Sequence, residues 1–124
     1  MLFRSLVDYV FDMPWQMAAA DVCVTRAGAM TCAESAALGT CSIFVPFPYA
    51  TGDHQTHNAR AFSEIDAGIL CPDKDFTADF LHQALADLAD PALRSRMRAA
   101  ARSLARPDAA SAVAAEFTRI TGVE

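Results

Sequence analysis

The chain has 124 residues, a net charge of −5 and a sequence pI near 5.0, and this length suits one domain with a real core. Its acidic balance disfavours a nucleic-acid partner. No apolar run approaches the roughly 20 residues that span a bilayer, and Asp8 and Asp12 interrupt the apolar N-terminal stretch, so we expect no signal peptide there.

Short β-type runs alternate with longer helical patterns along the chain. β-branched and aromatic residues mark the strands, while Pro, Gly and capping residues mark the helix ends. In chain order the sequence predicts a strand over 6–10, a helix over 13–20, a strand over 21–25, a helix over 29–39, a strand over 41–47, a helix over 54–66, a strand over 67–71, and helices over 77–88, 91–105 and from about 107 onwards.

This alternation predicts an α/β fold, a Rossmann-like parallel sheet with helices on both faces. The run CSIFVPF over 41–47 is continuously apolar, as expected of a parallel strand that is buried on both sides. Only three or four strands are predicted. The sheet is therefore small, about half of a larger Rossmann-like domain.

Two further patterns have ordinary structural explanations. None of the four cysteines stands in a CxxC pair, which favours reduced, buried thiols over a zinc or redox site; they are Cys23, Cys32, Cys41 and Cys71. The segment RSRMRAAARSLAR (94–106) carries five arginines. It is interpreted as a solvated helix face with inward alanines, and contact with an acidic membrane or partner is the alternative.

The stretch TRAGAMTCAES (25–35) lies where a strand gives way to a helix. Gly28 allows the backbone to turn, and the helix N-terminus offers free N–H groups and a partial positive charge to an anion. Thr31 and Glu34 are three residues apart, so they share a helix face. They suit the phosphate and ribose of a nucleotide, or else they only cap the helix.

A second polar loop, PYATGDHQTHNAR (48–60), follows the strand over 41–47. Gln55 and Asn58 present two amides in one direction, and amides suit sugar hydroxyls. A metal site that uses His54 and His57 with Asp53 is a weaker alternative, because the two histidines lack a third ligand at a spacing familiar from known metal sites. A catalytic histidine lacks an accompanying nucleophile motif.

These motifs occur together and in order in DMPWQMAAADVCVTRAGAMTCAESAALGTCSIFVPFPYATGDHQTHNARAF, followed by AGILC and LARPDAA. In this succession the chain closely resembles the C-terminal part of the MurG family, over about residues 8–117. That family transfers N-acetylglucosamine from its UDP conjugate to the lipid-linked muramyl-pentapeptide precursor of peptidoglycan. The resemblance implies that residues 1–124 form part of the C-terminal, nucleotide-sugar-binding domain of a two-domain GT-B transferase, its second half, without the N-terminal acceptor domain.

The resemblance also implies roles for individual residues. The backbone of Val10 would contact uracil, the helix end from Gly28 through Thr31 would face the diphosphate and donor sugar, and Glu34 would hold the ribose hydroxyls. Gln55 and Asn58 would address the N-acetylglucosamine hydroxyls, and His54 occupies a position where the family often has a glutamine or a histidine. The implied substrate-binding set is Val10, Gly28, Ala29, Met30, Thr31, Glu34, His54, Gln55 and Asn58.

The chain departs from the family pattern at two places. Phe11 replaces the first member of an acidic pair, and Ala27 replaces a serine and so lacks a hydroxyl donor. The resemblance places the base on the N-terminal domain, so no catalytic residue is predicted in this chain, which by itself is expected to be inactive. No metal or cofactor is predicted.

The implied partners are UDP-N-acetylglucosamine and, through the N-terminal domain, the lipid-linked muramyl-pentapeptide acceptor. The implied location of the full-length enzyme is cytoplasmic, peripheral at the inner face of the plasma membrane. The alternatives are a non-catalytic nucleotide-sugar-binding module, one half of a split transferase completed by a partner chain or a homodimer, and a scaffold without a ligand. An unpaired strand edge would favour such association.

Overall fold

A computed structural model describes residues 4–123, and it forms a three-stranded parallel sheet with helices around it. The strands are β1 (Cys23–Thr25), β2 (Ser42–Phe44) and β3 (Gly68–Leu70), in that spatial order. Val24 pairs with Ile43, which pairs with Ile69. The α/β, Rossmann-like parallel sheet predicted from the alternation is confirmed.

Six α-helices accompany the strands in the described part of the chain. They are α1 (Met13–Ala19), α2 (Ala29–Leu38), α3 (His54–Ser63), α4 (Ala78–Asp87), α5 (Pro91–Ser103) and α6 (Ala109–Thr121). Local sequence explains several of their ends. Thr77 caps α4 by accepting a hydrogen bond from Phe80 N at 3.1 Å, and Asp90 caps α5 ahead of a proline in its first turn.

Helices cover both faces of the sheet. Successive residues of β2 point to opposite sides, so each face has its own apolar cluster. Phe44 packs on one face with residues of α2, α3 and α5, and Ile43 packs on the other with residues of α4 and α5. The first cluster comprises Ala27, Cys32, Ala36, Phe44, Ala59, Phe62, Ala67 and Ala101. The small side chains let the helices approach the sheet closely, as the alanine-rich composition suggests.

The predicted strand over 6–10 is wrong, since residues 4–10 contain no strand. The segment has the right residue types, but no neighbouring strand pairs with it, and a strand depends on such pairing for its backbone hydrogen bonds. Most of its side chains are accordingly exposed, with Leu6 99 % and Tyr9 70 % accessible. Within the described residues no helix is long and apolar enough to cross a membrane.

The arginine-rich segment is only in part the solvated face that the sequence suggested. Arg94, Arg98 and Arg102 are spaced by four and form one stripe along α5. Each donates to backbone carbonyls at the C-terminal end of a different helix. Arg94 contacts Leu88 and Ala89 after α4, and Arg98 contacts Ala20 and Asp21 after α1. Arg102 contacts Leu38 of α2. A guanidinium beside free terminal carbonyls satisfies them and complements the helix dipole. The stripe therefore ties α5 to three other helices.

Candidate functional site

The N-terminus of α2 carries free backbone donors. Its N-cap residue is Gly28, and no side chain caps the helix. The first bond of the helix runs from Cys32 N to Gly28 O at 2.9 Å, so the preceding amides of Ala29, Met30 and Thr31 have no acceptor within the described chain. Unpaired N–H groups together with the helix dipole create an anion-binding end.

The side chains of Thr31 and Glu34 do not cap α2, which excludes the capping alternative. Neither side chain forms a hydrogen bond within residues 4–123, and both are half-buried on the helix. A hydroxyl and a carboxylate one turn apart, both without a protein partner, remain able to bind a ligand. The structure thus brings the two predicted residues together beside the free amides.

Gly28 does not need to be glycine for backbone reasons, contrary to the sequence argument. Its φ of −63° and ψ of 152° are open to any residue. A Cβ added there would meet no atom within 4 Å. The position is instead distinguished by empty space in front of the helix end.

The absence of a serine hydroxyl at position 27 has little bearing on a ligand. Ala27 is fully buried, at 0 % exposure, and packs with Phe44 and Phe62 in the first core cluster. A side chain here faces the core. The backbone N–H and C=O groups of Ala27, in contrast, both form hydrogen bonds to side chains of α3.

Gln55, in the first turn of α3, accepts two backbone hydrogen bonds through its Oε1 atom. One comes from Ala27 N at 3.2 Å and the other from Phe47 N at 2.9 Å. Two N–H donors fix the orientation of the amide, so its Nε2 group points elsewhere and has no partner within the described residues. The side chain therefore links the loop after β1 to the loop after β2.

Asn58, one turn further along α3, donates from Nδ2 to Ala27 O at 3.0 Å. The two amides of the predicted sugar-binding pair thus converge on one residue of the loop before α2, Ala27. The Asn58 Oδ1 atom forms no hydrogen bond to the described chain, so the pair still offers Gln55 Nε2 and the second Asn58 N–H as donors and Asn58 Oδ1 as an acceptor.

His54 and Val10 take no part in the hydrogen bonds to Ala27. His54 Nδ1 contacts Thr51 O, and because a carbonyl only accepts, the proton is on Nδ1 and Nε2 is free. Val10 is half-buried and lines a cavity of about 410 Å³ whose walls come from residues 5–16 alone. No residue of α2 lines this cavity.

Arg26 is a residue whose structural role the sequence did not reveal. It follows β1 and donates to the carbonyls of Val45 and Pro46, and it pairs with Asp73 after β3. Its guanidinium also lies 5.7 Å from the centre of the Phe47 ring. Arg26 therefore ties together the carboxyl ends of all three strands, where ligands bind in open α/β sheets. A basic residue directly after a strand was the only signal for it.

The metal alternative finds no support. Within residues 4–123 no group of three His, Cys, Asp or Glu side chains is placed to hold an ion. Asp53 instead accepts a hydrogen bond from Thr56. The four cysteines are buried and free, as expected, and burial raises the pKa of the Cys32 thiol to about 11.

Comparison with known proteins identifies the fold and its relatives. The model of the glycosyltransferase family 28 C-terminal domain matches residues 4–113. The crystal structure of Acinetobacter baumannii MurG superposes with a TM-score of 0.87 and 33 % identity, over 93 % of this chain and 35 % of that one.

Curated relatives share the same name, UDP-N-acetylglucosamine--N-acetylmuramyl-(pentapeptide) pyrophosphoryl-undecaprenol N-acetylglucosamine transferase. The chain is 43 % identical to the protein of Burkholderia ambifaria over 94 % of its length and 46 % identical to that of Cupriavidus necator over 86 %. It spans 32 % and 30 % of these relatives. The similarity to MurG inferred from the motifs is confirmed, and the chain belongs to the glycosyltransferase family 28 C-terminal domain family.

Proposed function

We propose that this chain is the donor-binding part of an inverting glycosyltransferase that takes N-acetylglucosamine from its UDP conjugate. The observation that carries the proposal is the uncapped N-terminus of α2, with three free amides beside unpartnered Thr31 and Glu34 side chains. The family and the names of its relatives support the same donor. The acceptor in those names is lipid-linked, so we also propose action at the inner membrane face.

In this proposal the helix end binds the diphosphate and the Glu34 carboxylate accepts hydrogen bonds from the ribose hydroxyls. Thr31 Oγ1 donates to a phosphate oxygen, and the free Gln55 Nε2 and Asn58 Oδ1 atoms address the sugar. An acceptor hydroxyl attacks the anomeric carbon, its proton passes to a base, and the bond to the diphosphate oxygen breaks with inversion. The α2 amides then stabilise the negative charge on the departing UDP.

We expect the chain alone to bind the donor without transferring it. It spans about a third of its relatives, and the resemblance assigns the base to the N-terminal domain. The exposed apolar side chains of the N-terminal segment, Leu6, Tyr9, Phe11 and Trp15 among them, support the view that more protein covers this surface in an active enzyme. A partner chain or a second copy remains the alternative source of that cover.

Calorimetric titration of the chain with UDP and with 2′-deoxy-UDP tests the site. We expect UDP to bind and Glu34→Ala to weaken it about ten- to a hundredfold, because hydrogen bonds to a charged group contribute about 1.5–3 kcal/mol. The preference for UDP over the deoxy compound should vanish in Glu34→Ala. The matched control is Glu64→Ala, at the C-terminal end of α3. This variant should bind UDP with the wild-type affinity.

Two results would contradict the proposal in different ways. If Glu34→Ala keeps the wild-type preference for the 2′-hydroxyl, the ribose assignment is wrong although the nucleotide site remains. If the wild-type chain binds neither UDP nor UDP-N-acetylglucosamine, the chain by itself is a scaffold and the donor-site proposal fails.

A further inference from the structure

We propose that Gln55 and Asn58 are positioning residues for the diphosphate: they clamp the backbone N–H and C=O groups of Ala27 and thereby hold the N-terminus of α2 in its binding geometry. This inference rests on the proposed donor site. It goes beyond a contact to the donor sugar, because it predicts that both amides matter for the binding of UDP, which carries no N-acetylglucosamine.

The geometry of the clamp is complete at Ala27. Its N–H donates to Gln55 Oε1 at 3.2 Å, and its C=O accepts from Asn58 Nδ2 at 3.0 Å. Ala27 directly precedes the N-cap residue Gly28. Fixing both polar groups of this residue restricts the two backbone dihedrals through which α2 could tilt away from the sheet.

The clamp also explains why the polar side chains of Gln55 and Asn58 lie next to the buried residue Ala27. Ala27 is fully buried in the first core cluster, where an unpaired backbone N–H or C=O would be costly. The N–H of Ala27 and the N–H of Phe47 both lack any other acceptor within the described chain. Gln55 therefore accepts hydrogen bonds from two loop N–H groups that the hydrogen bonds of the parallel sheet leave unpaired.

The clamp limits which atoms of Gln55 and Asn58 remain free to form hydrogen bonds with a sugar. Both lone pairs of Gln55 Oε1 are used, so that side chain can only donate to a hydroxyl through Nε2. Asn58 keeps Oδ1 and one N–H. Each residue thus has one function toward the loop and a different atom left for the ligand.

The two amide-to-acid changes provide a sharp test, because they have opposite consequences. Gln55→Glu keeps an oxygen that accepts both N–H groups, so the clamp should persist. Asn58→Asp replaces a donor by an acceptor that faces the Ala27 carbonyl, so the clamp should open. Each change adds one negative charge on the same helix, which makes the pair a matched control for charge.

Hydrogen exchange of the Ala27 and Phe47 amides measures the clamp in the ligand-free chain. We expect Gln55→Glu to keep the wild-type protection of both amides. Gln55→Leu should speed the exchange of both amides about tenfold, and Asn58→Asp should do the same at Ala27. A tenfold change corresponds to a loss of about 1.4 kcal/mol in the free energy of local opening. Gln83→Leu, on the exposed surface of α4, should leave both amides unchanged. Unchanged protection in Gln55→Leu would overturn the clamp even if the chain binds no nucleotide.

Titration with UDP, measured well below the melting temperature, tests what the clamp does. We expect Asn58→Ala and Gln55→Leu to weaken UDP binding about tenfold, although UDP lacks the N-acetylglucosamine that these side chains would contact. A purely structural role would lower the melting temperature and leave the affinity of the folded protein unchanged, and that result overturns the positioning role. The positioning role is also overturned if the variants bind UDP normally and lose affinity only for UDP-N-acetylglucosamine. Failure of the wild-type chain to bind UDP instead rejects the donor site itself.

Discussion

Arg102 lies directly over the α-carbon of Gly39: a Cβ built on Gly39 would come within 2.5 Å of Arg102 Nε and 2.7 Å of its Cγ. Gly39 ends α2 in the left-handed region with φ of 63°, where other residues are strained. Two independent constraints, backbone conformation and the α5 side chain, therefore select glycine at this position.

The Gly39→Ala substitution should destabilise the chain by about 1–2 kcal/mol for the left-handed backbone, with an added steric cost from Arg102. Urea unfolding of the single variants and of Gly39→Ala combined with Arg102→Ala separates the two contributions. We expect the cost of the alanine to be smaller in the Arg102→Ala background. Equal costs in both backgrounds would show that the long arginine side chain simply moves aside.

Arg98→Met should lower the free energy of unfolding by about 1–2 kcal/mol, because it removes the charged donor from the carbonyls of Ala20 and Asp21 after α1. Methionine keeps the apolar stem of the side chain. The matched control is Arg96→Met on the same helix, whose side chain forms no hydrogen bond within residues 4–123. That control should change stability by less than about 0.5 kcal/mol. Similar losses in both variants would contradict the tie between α5 and α1.

Stability should fall as the pH rises from about 9 towards 11, in part through Cys32. Burial raises its folded-state pKa to about 11, above its ordinary value of 9.0, so the unfolded thiol ionises first and the folded state then binds more protons. The contribution is complete below pH 9 and is lost as the pH passes through the folded pKa. Denaturation at several alkaline pH values should show a shallower decline in Cys32→Ala than in the wild type. Parallel declines would mean that Cys32 ionises equally easily in both states.

Gly28→Ala should preserve the fold but weaken UDP binding. The backbone dihedrals at position 28 suit alanine, and the added methyl group meets no protein atom within 4 Å. Since glycine is the better N-cap, a stability loss of up to about 1 kcal/mol is expected. The methyl group would enter the space before the helix end, so calorimetry should show an affinity loss much larger than that change in stability. Unaltered UDP affinity would indicate that the diphosphate does not approach this face.

The order of elements was predictable because it depends on local patterns. The apolar run before Pro46, the β-branched run ending at Thr25 and the glycine after α2 mark their elements without any tertiary information. The segment over 6–10 shows the limit of this reasoning: its residues favour a strand, but strand formation requires a neighbour, and the sequence of the segment does not say whether one is present.

The candidate site was predictable as a set of residues but not as an arrangement. The motif order indicated the helix end, Glu34 and the two amides, because each is tied to a local turn or helix face. It did not indicate that Gln55 and Asn58 meet at Ala27, which lies 28 and 31 residues away, nor that three arginines of α5 reach the ends of other helices. Such partners are set by how the elements pack, since a long polar side chain binds whichever unsatisfied backbone group the fold brings near. The sequence by itself thus determined the family and most of the elements and indicated the residues of the candidate site, whereas only the tertiary structure decided which backbone groups those residues hold.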